Sequence, residues 1–173
     1  MAIAGDADIL SDFMVPANVT LVNGSFFTFT GMRTFVRSGP PPNTTTFTAW
    51  KASKAEFPAL NGQSVFIDVL HFPAGSINPP HTRVRATGLL FLLQDSTSTL
   101  TCLCFQRDVH YQYNPDSQTP ALAIAAFGSS NPGSVSIPNA VFNTDIDDIV
   151  LAKSFKTYVA TIQALMAGLT PKP

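Results

Sequence analysis

Two short stretches hold the side chains of this 173-residue chain best suited to chemistry. The first runs Gly75-Ser-Ile-Asn-Pro-Pro-His-Thr-Arg-Val-Arg-Ala-Thr-Gly88; the second, twenty-nine residues beyond His81 (110 − 81), reads His110-Tyr-Gln-Tyr-Asn114. Alternate residues of an extended strand share a face, so His81 and Arg83 point one way together, as do His110 and Gln112. An imidazole near neutrality takes up or releases a proton. A guanidinium is a permanent cation that can hold a carboxylate or a developing enolate oxygen. Gathered in an apolar cavity, such groups would move protons rather than electrons.

A frame of strands must position them. Strand signals follow closely from residue 47, at 47–51, 64–72, 88–94, 99–105, 109–114, 121–127 and 134–137. Turn clusters separate them at Asn61-Gly62, Pro73-Ala-Gly75, Asn114-Pro-Asp116 and Asn131-Pro-Gly133. Many short strands with regular punctuation predict a sandwich or barrel. Asn78-Pro79-Pro80 reads as a strand-entry turn that aims His81. Residues 1–46 read as an arm of short strands and loops, because Pro40-Pro41-Pro42 fits neither a helix nor a central strand. After 143 the period changes. Asn143-Thr-Asp-Ile-Asp-Asp148 offers helix-starting side chains, and Ile149, Ala152, Phe155 and Val159, Ile162, Met166 recur at helical spacing. The chain thus reads as one structural domain, all-β with C-terminal helices: an arm at 1–46, a barrel at 47–142 and helices at 143–173.

Charged residues are 12% of the chain, against roughly 25% in an average soluble protein. Hydrophobic residues reach 45%, with 14 Phe. So few charges cannot cover the surface, and apolar area is expected to be hidden between subunits. A formal net charge of −1 with no basic cluster excludes nucleic acid and anionic membrane as partners. No apolar run approaches the roughly 18 residues that span a bilayer. Cys102 and Cys104, two apart on an expected strand, read as free buried thiols. The start Met1-Ala-Ile-Ala lacks the charged and apolar regions of a signal peptide, although Ala2-Ile3-Ala4 looks like the small-residue end of one. Sequons at Asn18-Val-Thr, Asn23-Gly-Ser and Asn43-Thr-Thr fit a secretory history.

From Asp8-Ile-Leu-Ser-Asp-Phe13 through Phe26-Phe-Thr-Phe-Thr-Gly-Met32, Glu56-Phe-Pro-Ala-Leu-Asn-Gly-Gln63, Phe72-Pro-Ala-Gly75 and Pro120-Ala-Leu-Ala-Ile-Ala-Ala-Phe127 to Ala140-Val-Phe142, the order resembles the plant germin-like proteins of the cupin superfamily. It is most similar to members without the N-terminal disulfide, whose positions look like Met14 and Phe27, and to those named auxin-binding proteins. The resemblance implies a jelly-roll β-barrel, secretion to the apoplast, with a cytoplasmic location as the alternative, and a homo-oligomer built as a trimer of dimers. It also implies a pattern for the metal: Gly, five intervening residues, His-x-His, then Glu and Gly, and a third His downstream. In the family these three imidazoles and one carboxylate bind manganese, which supports oxalate oxidation or superoxide dismutation. Here Gly75, His81 and His110 match. Arg83 stands where the second His belongs, Gly88 replaces the Glu and Asp95 the closing Gly. Between the motifs, Leu103-Cys-Phe-Gln-Arg-Asp-Val-His110 runs straight into the last His, short of the family by one hairpin of about 15 to 20 residues.

Two ligands of four survive, so the resemblance implies a degenerate site. A guanidinium about 5 Å from a dication would repel it by roughly 6 kcal/mol at an effective dielectric near 20. The expectation is therefore no cofactor, with manganese disfavoured. Counting alternate residues puts Asp68 and Asn78 where the family presents Asn side chains to the cavity. Asp68, His81, Arg83 and His110 are then candidate catalytic residues, with Asp68 ionised and able to orient a His as general acid or base. Asn78, Gln112, Leu90 and Leu92 are candidate ligand-binding residues. The reading is a metal-free barrel that binds a small apolar plant metabolite and steers a non-redox step such as enolisation, isomerisation or terpenoid cyclisation. Blander readings stand beside it: His81 and His110 as inherited core residues, Arg83 and Asp68 as an inert buried bridge, or Asp68 turned outward by a register slip. His71, three positions beyond Asp68, faces the other way and reads as surface. The alternative functions are a non-catalytic apoplastic defence or auxin-binding glycoprotein, and a conventional manganese oxalate oxidase or superoxide dismutase.

Overall fold

A computed structural model describes residues 11–41, 43–94, 103–104 and 106–169. Among them the alternating apolar pattern forms strands β1 (Thr48–Ala52), β2 (Phe66–Phe72), β3 (Ile77–Arg83), β4 (Gly88–Gln94), β5 (Leu103–Cys104), β6 (His110–Tyr113), β7 (Ala121–Phe127) and β8 (Ser134–Ser136). They make a five-stranded sheet, order β1-β2-β7-β4-β5, and a three-stranded sheet, order β6-β3-β8. Every pairing is antiparallel.

The core lies on one face of the larger sheet. Phe66, Leu70 and Phe72 of β2, Ala121, Ala123, Ala125 and Phe127 of β7, and Leu90 of β4 are buried in one cluster. Phe66 and Phe127 stack with ring centroids 5.1 Å apart. Burying one such ring contributes about 1.5–3 kcal/mol. Asn114 ties the strand ends together. Its amide donates to the Phe72, Pro73 and Thr119 carbonyls at 3.1, 3.2 and 2.8 Å, and its Oδ1 accepts from Asp116 N at 3.1 Å.

Most expected strands form, with three differences. The arm carries a helix, α1 (Arg33–Ser38), instead of short strands; Gly39 stops it with φ +67° just before Pro40. Its Phe35 lies on Trp50, centroids 4.4 Å apart, on the outer face of the larger sheet. The expected Pro79-Pro80 turn is part of β3, accommodated by a register shift between Asn78 and His81 where no ladder hydrogen bond is asked of the prolines. At the other end, β8 stops at Ser136, because Ile137-Pro138 opens a helix, α2 (Ile137–Phe142), with Pro in its first turn. The expected closing helices are α3 (Asp148–Ser154) and α4 (Val159–Leu169). Asp147 caps α3 by accepting from Ile149 N and Val150 N, and Leu151, Ala152 and Ile162 bury the helices against Val141 and Phe142.

Only two residues of β5 lie between β4 and β6 among the described residues, paired with Gly88 and Leu89. Asp95, Cys102, the Cys104 side chain and most of the strand expected at 99–105 lie outside the described residues. No helix among the described residues is long and apolar enough to cross a membrane.

Candidate functional site

Register brings the two motifs together. His81 of β3 pairs with His110 of β6, and Asn78 pairs with Gln112. Asn78 and His81 are three positions apart, which in a plain strand would put them on opposite faces. The bulge at Pro79-Pro80 absorbs the odd residue, so both face the same side as their partners. Asn78 Nδ2 then donates to Gln112 Oε1 at 2.6 Å. The two imidazoles meet edge to face, centroids 4.2 Å apart at 61°.

Each imidazole is aimed by its own backbone. His81 Nδ1 lies 2.8 Å from the Pro79 carbonyl, and His110 Nδ1 lies 3.0 Å from the Asp108 carbonyl. A carbonyl only accepts, so both Nδ1 atoms carry the proton and both Nε2 atoms present lone pairs. Burial holds both rings neutral. The pKa of His81 falls from 6.5 to about 4 through desolvation, with the charges of His110 and Arg83 adding to the fall. That of His110 is lowered for the same first cause.

Asp68 faces inward from β2, 1% exposed, across from Ala125 of β7. Its Oδ2 lies 3.8 Å from Arg83 Nη2. The expectation that Asp68 orients a His is corrected. Neither carboxylate oxygen has a hydrogen bond, and the imidazoles donate theirs to backbone carbonyls. Desolvation therefore outweighs the Arg83 and Lys51 charges and raises the Asp68 pKa from 3.8 to about 7. The carboxyl is poised near neutrality, and its neighbour is the guanidinium.

Arg83 stacks on a ring. Its Cζ lies 4.5 Å above the Phe127 ring, and that ring in turn covers Gly88, its register partner on β4. A Cβ on Gly88 would come within 2.5 Å of Phe127 Cε1. Sequence reasoning missed Phe127. Its signal was the inward series Ala121, Ala123, Ala125, Phe127, in which three methyls end in a ring at the level of Gly88.

Around these groups the remaining cavity is about 10 Å³, the room of one water. Leu90 lines it, while Leu92 packs, half-buried, on the core behind. His71 is on the opposite face, as its parity requires, but it is not surface: it is 6% exposed, because α1 and the turn after it cover that face.

The donor set does not suit a transition metal held as the family pattern requires. Two imidazoles lie together, but position 83 carries a cation, the Phe127 ring fills the space at Gly88, and the nearby carboxylate is engaged with Arg83. No cluster of three or more His, Cys, Asp or Glu that could hold a metal ion occurs among the described residues.

The cupin family model matches residues 106–163. Germin-like protein 9-3 of Oryza sativa subsp. japonica is 48% identical over 193 residues, covering 99% of this chain and 89% of the relative. At least 20 residues of that alignment (193 − 173) have no counterpart here, a number similar to the hairpin expected to be missing between the motifs. Germin-like protein 9-1 of the same plant is 39% identical, over 97% of this chain and 75% of the relative. A solved oxalate oxidase superposes with TM-score 0.75 at 23% identity, over 96% of this chain and 98% of that one. At that identity the likeness is one of fold.

Proposed function

The chain belongs to the germin-like proteins, and from that premise we propose that it works without a manganese redox centre, holding a small, largely apolar plant metabolite and steering a non-redox step such as enolisation, isomerisation or terpenoid cyclisation. The observation that carries this reading is the stack of Arg83 on Phe127 over Gly88, which puts a cation and a ring where a dication needs ligands. In such a step a neutral Nε2 of His81 or His110 takes a proton from carbon, the Arg83 guanidinium receives the enolate oxygen, and the proton returns at another carbon. Asp68, poised near neutrality, would set the charge beside Arg83. The ligand would have to displace Phe127 to enter.

The closed inner cavity favours a second reading, a non-catalytic apoplastic glycoprotein that captures its ligand without transforming it. Secretion is supported by the exposure of all three sequon asparagines, Asn18, Asn23 and Asn43. Assembly into a homo-oligomer, as a trimer of dimers, is supported by exposed apolar side chains such as Phe91 on the larger sheet and Tyr158 before α4.

Metal analysis of protein purified with manganese present tests the first claim; one bound Mn per chain, lost in His81→Ala and His110→Ala, would overturn it. Deuterium exchange at the α-carbon of small ketones, followed by NMR, tests the second. Enolisation predicts exchange that His81→Ala and Asp68→Asn abolish, whereas exchange at the solvent rate throughout leaves the capture reading.

A further inference from the structure

Beneath α1 and the Gly39-Pro40 turn, the outer face of the larger sheet holds a cavity of about 450 Å³. That is the size of a small-molecule site. Its walls are apolar, from Phe35, Pro40, Val69, Leu93 and Ile124, and its polar member is His71. This imidazole is 6% exposed, and its Nδ1 has no hydrogen-bond partner. Directly across the β1–β2 pair stands Thr48, whose buried Oγ1 is also unpartnered. Buried polar groups are as a rule hydrogen-bonded, so two such atoms side by side on one face single the place out. An unpaired buried lone pair is tolerated better than an unpaired buried N–H. Neutral His71 therefore keeps its proton on Nε2, the nitrogen left to serve the cavity, and burial disfavours the imidazolium.

We propose that this outer pocket binds a small molecule with an apolar body and one hydrogen-bond acceptor oxygen, received by the Nε2–H of His71. The walls supply the affinity and the imidazole fixes the orientation. The site is separate from the inner cluster, on the other side of the sheet, and stands whether or not the inner site works as proposed.

Trp50, the only tryptophan in the chain, reports on it, with its ring 6.4 Å from that of His71. The probe is 1-anilinonaphthalene-8-sulfonate, two apolar ring systems with a sulfonate acceptor, read by energy transfer from Trp50 in the full chain. Saturable binding of one probe per chain is expected. His71→Phe, which keeps a ring but loses the N–H, should weaken it about five-fold or more. Leu93→Glu, at the exposed rim and so harmless to folding, should weaken it about ten-fold or more by repelling the sulfonate. Leu165→Ser on α4 should leave it unchanged, as a control for adsorption to exposed apolar surface. Non-saturable transfer, or parental affinity in both pocket variants, would overturn the proposal. So would binding that disappears as the protein is concentrated, since a second copy would then fill the pocket.

Discussion

The ring of Phe127 occupies the space into which any side chain at Gly88 would grow, 2.5 Å from a Cβ built there. Gly88→Glu alone should therefore destabilise the protein by about 1–3 kcal/mol through overpacking and gain no metal. Combining Gly88→Glu with Phe127→Ala and Arg83→His clears the space, removes the cation and restores four donors. The triple variant should bind Mn(II) stoichiometrically, seen as loss of the free-ion EPR signal. Parental stability in the single variant by urea denaturation would show that the ring is elsewhere.

Arg83 is the cation that the buried Asp68 has at hand, 3.8 Å away. Arg83→Met should cost on the order of 3 kcal/mol at pH 8, where the carboxylate would be left uncompensated. At pH 5.5 the loss should shrink, because a protonated Asp68 needs no cation. Equal losses at both pH values in denaturant titrations would show that charge compensation is not the role of Arg83.

Asp68 and His81 bend the pH dependence of stability in opposite senses. The Asp68 pKa rises from 3.8 to about 7 on folding, so its contribution is full below the unfolded value and is lost as pH climbs through 7. The His81 pKa falls from 6.5 to about 4, so its contribution is full above 6.5 and is lost as pH drops through 4. Where the windows overlap the two slopes, each up to about 1.4 kcal/mol per pH unit, cancel. Asp68→Asn leaves the histidine slope unopposed, and its stability should climb from pH 4 to 6.5 more steeply than the parent's. Parallel curves would show that Asp68 ionises at its ordinary pKa.

Asn114 is 1% exposed and donates to three carbonyls. Asn114→Ala should cost about 3 kcal/mol, since each buried carbonyl left without a partner costs about 1–3 kcal/mol and some find water. Thermal unfolding measures it. A loss under 1 kcal/mol would mean that the strand ends hold without this clamp.

Much of this was legible in short-range pattern. Parity along β3 and β6 put His81 with Arg83 and His110 with Gln112 before any contact was known, and parity along β2 turned Asp68 inward. What failed was whatever depended on another part of the chain. His71 was correctly sent outward, but outward became interior once α1 covered that face, and the prolines after it concealed the helix. Phe127 became part of the site only through the β7–β4 register, which sets it against Gly88 thirty-nine positions earlier (127 − 88). Asp68 is expected to ionise beside Arg83; at 3.8 Å and without a hydrogen bond the guanidinium offsets only part of the dehydration, which moves that ionisation up to near neutrality.

The extra residue at Pro79-Pro80 makes the facing of the site a matter of counting. Lose one of those prolines, and Asn78 stands two positions from His81, the parity of a plain strand, so that it still faces Gln112 while His81 stays against His110 and Ser136. A single-codon deletion would thus straighten the strand and leave the amide rim and the imidazole pair on one face, a natural experiment that point substitutions cannot imitate.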